Sequence, residues 1–126
     1  GLSPVSPKTI LFSQDSINGV FEDGRNVNGL IHRLINDPSY INHVEPIRKV
    51  RMRDLPANVQ ERLLSQGAHK DSVFTLDNRR LYAAKTAGVS KIPSRWATPE
   101  ELSKINLDRR FSTQNGGRTV RTRGCG

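Results

Sequence analysis

The stretch "VFTLDNRRLYAAKTAGVSKIP", residues 73–93, predicts a short strand that runs directly into a helix. Its first residues are β-branched or aromatic and favour a strand, whereas Asp77 is a residue type that often begins a helix. Arg79 and Arg80 then fall in the first helical turn, where the positive end of the helix macrodipole disfavours cations. Two arginines at this position indicate that a negatively charged group lies near the start of the helix.

Strand and helix patterns alternate along the rest of the chain. Gly67 and Gly88 suit the left-handed position that ends a helix, and Thr98 with Glu101 predicts a capping box. The predicted strands are residues 9–12, 47–52 and 72–76, and the predicted helices are residues 26–36, 57–67, 77–88 and 98–106. The imperfect alternation in residues 47–52 indicates an edge strand. This order of elements favours an α+β domain with a small mixed sheet and flanking helices.

The composition indicates a basic protein of one domain. The 126-residue chain has 20 lysines and arginines against 12 acidic residues, a formal net charge of +8 at pH 7. This excess favours a polyanionic partner (nucleic acid, a nucleotide or an acidic protein) over a merely well-solvated basic surface. No apolar run approaches the ~20 residues that cross a bilayer, so we expect no membrane partner. We predict a linker at residues 1–8, one domain at residues 9–106 and a flexible basic tail at residues 107–126.

The turn between the predicted strand and helix, residues 76–80, is the candidate site. A helix N-terminus presents several backbone N–H groups in one direction, and this geometry binds phosphate. Arg79 and Arg80 add charge-assisted donors, and Asn78 adds a side-chain donor. Asp77 has two interpretations, because it can cap the helix or bind a metal or orient a water molecule.

The same two arginines also fit a structural role. Arg79 and Arg80 would then pair with carboxylates of the protein itself, such as Glu22 or Asp23. We favour phosphate over internal ion pairing, because a phosphate would also use the backbone N–H groups of the turn.

The remaining residues that can carry chemistry are few and scattered. The three histidines, His32, His43 and His69, have no pair at helical spacing, so a helical zinc motif is absent and we predict no metal ligands. Each is more typical of a surface or loop position, and His69, shortly before the strand, is the best general-base candidate. The predicted catalytic set is Asp77, Arg79, Arg80 and His69. The only cysteine, Cys125, cannot form an internal disulfide and is interpreted as an incidental thiol.

The segment of residues 73–93 resembles the signature segment of the ParB/sulfiredoxin-like fold. In ParB proteins a strand leads into a Gly-Glu-Arg-Arg turn, and a helix with small residues, a glycine and an Ile-Pro pair follow. The corresponding residues here, in the same order, are Asp77, Asn78, Arg79, Arg80, Ala83, Ala84, Gly88, Ile92 and Pro93. Upstream, "EPIRKVRM" is similar to the Pro-Ile-x-Val strand of the family, and "ILFSQDSI" lies where its first strand and polar turn are found.

The resemblance implies a nucleotide or phosphate pocket at this turn. The phosphate-binding residues that it implies are Ser13, Gln14, Asn78, Arg79 and Arg80. ParB members bind and hydrolyse CTP, sulfiredoxins use ATP, and other members are nucleases or kinases. Mg²⁺ and a nucleoside triphosphate are therefore the candidate cofactors, and the sequence leaves the choice open. The Gly-Glu pair of ParB is Asp77-Asn78 here, and the turn has no cysteine, which excludes sulfiredoxin chemistry.

The small, basic and cysteine-poor composition is also similar to that of the C-terminal toxin modules of Rhs, Tc and contact-dependent inhibition proteins. That resemblance implies a secreted effector that acts on nucleic acid or nucleotide phosphates in the cytoplasm of a target cell, as a nuclease, nucleotide hydrolase or phosphotransferase. It also implies two protein partners, an acidic immunity protein and the Rhs or Tc shell of a larger toxin. The alternative function is a non-catalytic module that binds nucleic acid or an acidic protein through its basic surface.

Overall fold

A computed structural model describes residues 2–124, which form seven strands, five α-helices and three 3₁₀ segments. The strands are β1 (Ser3–Val5), β2 (Leu11–Phe12), β3 (Ser16–Asn18), β4 (Ile47–Arg51), β5 (Val73–Thr75), β6 (Ile92–Trp96) and β7 (Arg121–Arg123). The α-helices are α1 (Val27–Asn36), α2 (Ala57–Ser65), α3 (Asn78–Ala87), α4 (Pro99–Ser103) and α5 (Leu107–Arg110). The 3₁₀ segments are Pro7–Thr9, Pro38–His43 and Met52–Asp54.

Five strands form a mixed sheet in the order β1-β6-β4-β5-β2. β4 pairs in parallel with β6 and antiparallel with β5, and helices flank the sheet, so the predicted α+β class is confirmed. The prediction of an edge position for β4 is wrong, because Lys49 has register partners on both sides, Thr75 and Trp96. The alternation of β4 is imperfect because the charged residue Lys49 is buried in this central strand.

The helix ends follow their sequence signals. The Asn26 side chain accepts a hydrogen bond of 2.7 Å from the backbone N–H of Asn28 and caps α1. Thr98 and Glu101 form the predicted capping box at α4, and Gly88 ends α3 with a φ of 77°, in the left-handed region that glycine favours. Local sequence therefore fixes the starts of α1 and α4 and the end of α3, whereas α2 ends at Ser65, before Gly67, and α4 ends at Ser103, short of the predicted residue 106.

The hydrophobic core is divided between the two faces of the sheet. Side chains alternate between faces along a strand, so Ile47 and Val50 of β4 lie in different clusters. The first cluster contains residues of α1 and α3, including Val27, Leu34, Leu81 and Ala84. The second contains residues of α2 and of the C-terminal segment, including Val59, Leu63, Phe74 and Phe111. α3 is therefore packed against α1 along one face, which fixes the direction of its N-terminus.

Both chain ends contact the domain. Residues 107–126 were predicted as a flexible tail and residues 1–8 as a linker, yet β7 pairs with β3 and β1 pairs with β6. Phe111 has no exposed surface, and its ring lies edge-on to that of Phe74 with 5.5 Å between the ring centroids. This packing was difficult to predict from the basic composition of the segment, because Phe111 is its only aromatic residue. Cys125 lies outside the described residues.

We predict that Phe111→Ala lowers the free energy of unfolding by about 3–5 kcal/mol, because it leaves a cavity in the second cluster. Urea denaturation followed by circular dichroism measures this change. Arg109→Ala, at an exposed position of the short helix α5 that precedes Phe111, is the control and should change stability by less than about 0.5 kcal/mol. Equal stability of the Phe111→Ala variant and the wild type would contradict the packing of residues 107–124 on the domain.

Candidate functional site

A groove with a volume of about 980 Å³ opens beside the N-terminus of α3. Its walls come from α1, from the 3₁₀ segment Pro38–His43 and from the first residues of α3. The arginines that line it are Arg25, Arg33, Arg48, Arg79, Arg80 and Arg110, and the acidic residues are Glu22, Asp23, Glu45 and Asp77. Cationic side chains therefore outnumber carboxylates in the groove.

Asp77 lies immediately before α3, and its carboxylate is held by two arginines. It accepts hydrogen bonds from the backbone N–H of Arg48 at 2.7 Å and from the Arg48 guanidinium at 2.8 and 3.1 Å. It also lies 2.7 Å from a guanidinium nitrogen of Arg80. The side chain makes no capping hydrogen bond to α3, so the predicted cap is wrong. The reason is that Arg48, on the neighbouring strand β4, draws the carboxylate away from the helix.

The absent cap leaves the first turn of α3 open. Within residues 2–124, the backbone N–H groups of Asn78, Arg79 and Arg80 have no acceptor at hydrogen-bond distance. Such N–H groups at the positive end of a helix are satisfied by water or by a bound anion. The turn thus has the donors that the sequence predicts, pointing away from the body of the helix.

The pKa of Asp77 reflects two opposing effects. Burial raises it, but the hydrogen bonds from Arg48 and the charge of Arg80 lower it more, so the pKa lies below its ordinary value of 3.8. The same bonds raise the pKa of Arg48. A carboxylate that is ionised and fully engaged accepts a proton poorly. Asp77 is therefore placed to position the turn, and it is poorly suited to act as a general base.

Arg80 is paired within the protein. Besides Asp77, its guanidinium contacts the Glu45 carboxylate at 3.5 Å and donates to the backbone oxygens of Glu45 and Pro46 at 2.7 and 3.1 Å. Its side chain is 17% exposed. The carboxylates that pair with Arg80 are therefore those of Asp77 and Glu45, and not those of Glu22 or Asp23, the partners considered from the sequence. Arg80 joins the start of α3 to the start of β4.

Arg79 differs from Arg80 in having no carboxylate partner among the described residues. Its guanidinium donates to the backbone oxygen of Val20 at 2.9 Å and lies 5.4 Å from the centroid of the Phe21 ring. Asp23 is engaged elsewhere, since it pairs with Arg25 at 2.6 Å. Of the two arginines in the first turn, Arg79 is the one whose charge is not compensated.

Asn78 connects α3 to the polar turn after β2. Its side-chain oxygen accepts hydrogen bonds from the backbone N–H groups of Ser13 at 2.8 Å and Gln14 at 3.3 Å. Its amide nitrogen donates to the Ser13 hydroxyl at 2.9 Å and to the Gln14 side chain at 3.3 Å. Asn78 and Ser13 are buried, so their polar groups are used inside the protein. Gln14 lines the groove, so its side chain is the one of this trio that a ligand can reach, together with the open backbone N–H of Asn78.

The C-terminal segment supports this polar turn from the other side. The Thr113 N–H donates to the backbone oxygen of Ser13 at 3.1 Å, and the Phe12 N–H donates to that of Gly117 at 2.9 Å. Gly117 has a φ of 83°, and a Cβ there would collide with the backbone of Phe12. Only glycine fits this close approach. Sequence reasoning missed the support, and the Gly-Gly pair at 116–117 was its single local signal.

The histidines are not arranged as the sequence analysis expected. His69 precedes β5, whereas Asp77 follows the other end of that strand. The His69 imidazole contacts the Asp71 carboxylate at 3.6 Å. It is not among the residues that line the groove. His43 does line the groove, next to Tyr40, whose ring centroid is 5.9 Å away. The structure therefore places His43 in the same groove as Asp77, Arg79 and Arg80, and His69 outside it.

Comparisons with family models, with curated proteins and with solved structures gave no match for this chain. Within residues 2–124, no three acidic, histidine or cysteine side chains are grouped so that they could hold a metal ion. In the same residues, every helix is too short or too polar to cross a bilayer. The site is therefore interpreted from its own geometry.

We predict that Asp77→Asn lowers the free energy of unfolding by about 3 kcal/mol at neutral pH, because Arg48 and Arg80 lose their carboxylate. The folded-state pKa of Asp77 lies below 3.8, so the folded protein binds fewer protons than the unfolded chain between the two values. This part of the stability is present above pH 3.8 and is lost as the pH falls through the folded-state pKa.

Urea denaturation at a series of pH values checks this prediction. The difference between wild type and Asp77→Asn should shrink as the solution is acidified below pH 3.8. Asp71→Asn is the control, since the Asp71 side chain is 79% exposed and its change should stay under about 0.5 kcal/mol. A difference between wild type and Asp77→Asn that does not depend on pH would contradict the role of this carboxylate.

Proposed function

We propose that the groove binds the phosphate groups of a nucleotide or nucleic acid, and that the chain is a toxin-like effector domain that acts on them. The observation that carries the proposal is Arg79, a cation at the positive end of α3 that no carboxylate of the described residues compensates. A cation at this position raises the free energy of the folded state. A phosphate bound to the open N–H groups beside it would reverse that effect.

Two further arginines favour a ligand with more than one phosphate. The guanidinium of Arg33 lies 4.4 Å from the centroid of the Tyr40 ring, and Arg110 donates to the backbone oxygen of Leu76 at 3.4 Å. Neither forms an ion pair with a carboxylate of residues 2–124. Cations spread along a groove match a nucleoside polyphosphate or a nucleic acid strand better than a single inorganic ion.

The arginines and the histidine of the groove have different roles in the proposed reaction. Arg79 and the open N–H groups stabilise the charge that develops on phosphoryl oxygens in the transition state. Arg48 and Arg80 act through Asp77, whose position they fix. When a water molecule or hydroxyl group attacks phosphorus, the P–O bond to the leaving group breaks, and His43 is the histidine of the groove that can accept the proton that the attacking oxygen loses. Of the predicted catalytic set, Asp77 is engaged in ion pairs, and His69, the general-base candidate of the sequence, lies outside the groove.

The resemblance to ParB/sulfiredoxin-like domains supports the same site, because the turn at residues 77–80 is where that family would hold its phosphate. A nuclease, a nucleotide hydrolase and a phosphotransferase all fit this chemistry. The similarity in composition to Rhs, Tc and contact-dependent inhibition modules supports an effector that acts in the cytoplasm of a target cell. An acidic immunity protein and the Rhs or Tc shell would be its protein partners.

A non-catalytic binding module is the second candidate function. It is favoured by arginines outside the groove, since Arg118, Arg121 and Arg123 of the C-terminal segment are exposed. Such a module would bind nucleic acid or an acidic protein through charge alone, with a strong dependence on salt. The two functions differ in turnover, because only the first converts its ligand to product.

We predict that Arg79→Gln weakens the binding of nucleoside triphosphates about tenfold, because it removes a charge-assisted hydrogen bond worth about 1.5–3 kcal/mol. Isothermal titration calorimetry with each nucleotide measures the affinity. Incubation with plasmid, total RNA and each triphosphate, with and without Mg²⁺, measures turnover, which Arg79→Gln should reduce together with affinity.

Arg109→Gln is the matched control, because it removes the same charge from an exposed position outside the groove. Equal losses in the two variants would attribute binding to net charge and contradict the groove. Tight binding by the wild type with every substrate left intact would reject the enzyme and leave the non-catalytic module.

A further inference from the structure

A second cationic surface lies at the C-terminal end of β4, away from the groove. Side chains alternate between faces along a strand, so Lys49 and Arg51 share one face while Arg48 is on the other. Lys49 and Trp96 are register partners on β4 and β6. The centroid of the Trp96 ring lies 4.2 Å from the Lys49 ammonium and 3.5 Å from the Arg51 guanidinium carbon. Two cations therefore stack on one aromatic ring.

A small pocket continues this surface beyond Arg51. It has a volume of about 180 Å³, and Arg51, Arg53 and Lys70 line it together with one acidic residue, Asp71. We call the five residues Lys49, Arg51, Arg53, Lys70 and Trp96 the Trp96 patch. None of its residues lines the groove beside α3.

The cations of the Trp96 patch have no carboxylate partner among residues 2–124. In the described part of the chain, no carboxylate forms an ion pair with Lys49, Arg51, Arg53 or Lys70, and their side chains donate no hydrogen bond to the protein. Lys49 is the sharpest case, because it is only 5% exposed. Burying an unpaired cation is costly, and burial with the nearby charge of Arg51 lowers the pKa of Lys49. Contact with the Trp96 ring offsets only part of that cost.

The chemistry of the patch selects its ligand. Unpaired cations require an anion, and Trp96, 37% exposed, presents a large aromatic side chain among them. Cations interleaved with an exposed aromatic ring are typical of surfaces that bind single-stranded nucleic acid, where phosphates contact the cations and bases stack on rings or on guanidinium planes. An acidic peptide would use the cations, but its carboxylates carry no base that could stack on the Arg51 guanidinium or on the exposed part of Trp96.

We propose that the Trp96 patch binds single-stranded nucleic acid, with phosphates in the pocket of Arg51, Arg53 and Lys70 and a base stacked on the guanidinium of Arg51 or on the exposed part of Trp96. Lys49, buried against the Trp96 ring, adds its charge to the site without touching the ligand. Duplex nucleic acid fits less well, because its bases are already stacked on one another. The proposal does not rest on the proposed function of the groove. The patch would hold a polymer whether or not the groove converts it.

Trp96 is the single tryptophan of the chain, so its fluorescence reports directly on the patch. We predict that a short oligodeoxythymidylate quenches this fluorescence with saturation, and that Arg51→Gln with Arg53→Gln weakens binding at least tenfold and lowers the salt slope by about 1.4, the value for two contacts to a single strand. Lys49→Met tests the buried cation, and the two surface substitutions keep the test valid if that variant does not fold. Binding of a nucleoside triphosphate to the groove should be unchanged in all of them.

Arg109→Gln with Lys91→Met is the control, since it removes two exposed charges outside the patch. Equal weakening by the control pair and by the patch variants would overturn the proposal. Loss of oligonucleotide binding in Arg79→Gln with no loss in the patch variants would overturn it too, by assigning the polymer to the groove. Binding of polyglutamate but not of the oligonucleotide would assign the patch to an acidic protein instead.

Discussion

The ion pair between Asp77 and Arg48 is the contact on which the rest of the site depends. It joins the residue before α3 to the central strand of the sheet, and Arg80 closes the same cluster from within the helix. Because Asp77 is engaged with Arg48 and Arg80, its carboxylate makes no capping bond to the first N–H groups of α3. The Asp77 carboxylate therefore holds α3 in position without capping it, so the N-terminus of α3 remains open to an anion.

A second anchor sets the direction of that N-terminus. Asn78 is tied to the Ser13–Gln14 turn, and the segment around Thr113 and Gly117 holds the turn in place. The two anchors explain why adjacent arginines have different environments. Both arginines line the groove. Arg80 pairs with the carboxylates of Asp77 and Glu45, whereas Arg79 has no carboxylate partner among the described residues. Carboxylates of the described residues therefore compensate the charge of Arg80 but not that of Arg79.

Local sequence predicts most of the elements and part of the site. Thr98 and Gly88 mark the start of α4 and the end of α3, because capping depends on neighbouring residues. The pairing of Asp77 with Arg48 was not predictable, since it joins residues 29 positions apart through the register of β4 and β5. Phe111 and Gly117 were hidden in a basic, glycine-rich stretch that resembles a tail. The sequence favoured His69 over His43 because His69 is nearer to Asp77 in the chain. Nearness in the chain does not show that His69 and Asp77 lie at opposite ends of β5.

The most direct test is a titration of the ¹⁵N-labelled protein with inorganic phosphate at constant ionic strength, followed through the backbone N–H signals. The account predicts saturable shifts concentrated at Asn78, Arg79 and Arg80, because their N–H groups and the Arg79 guanidinium converge on one anion. Shifts that are spread over the basic surface, or that leave these three signals unchanged, would contradict it.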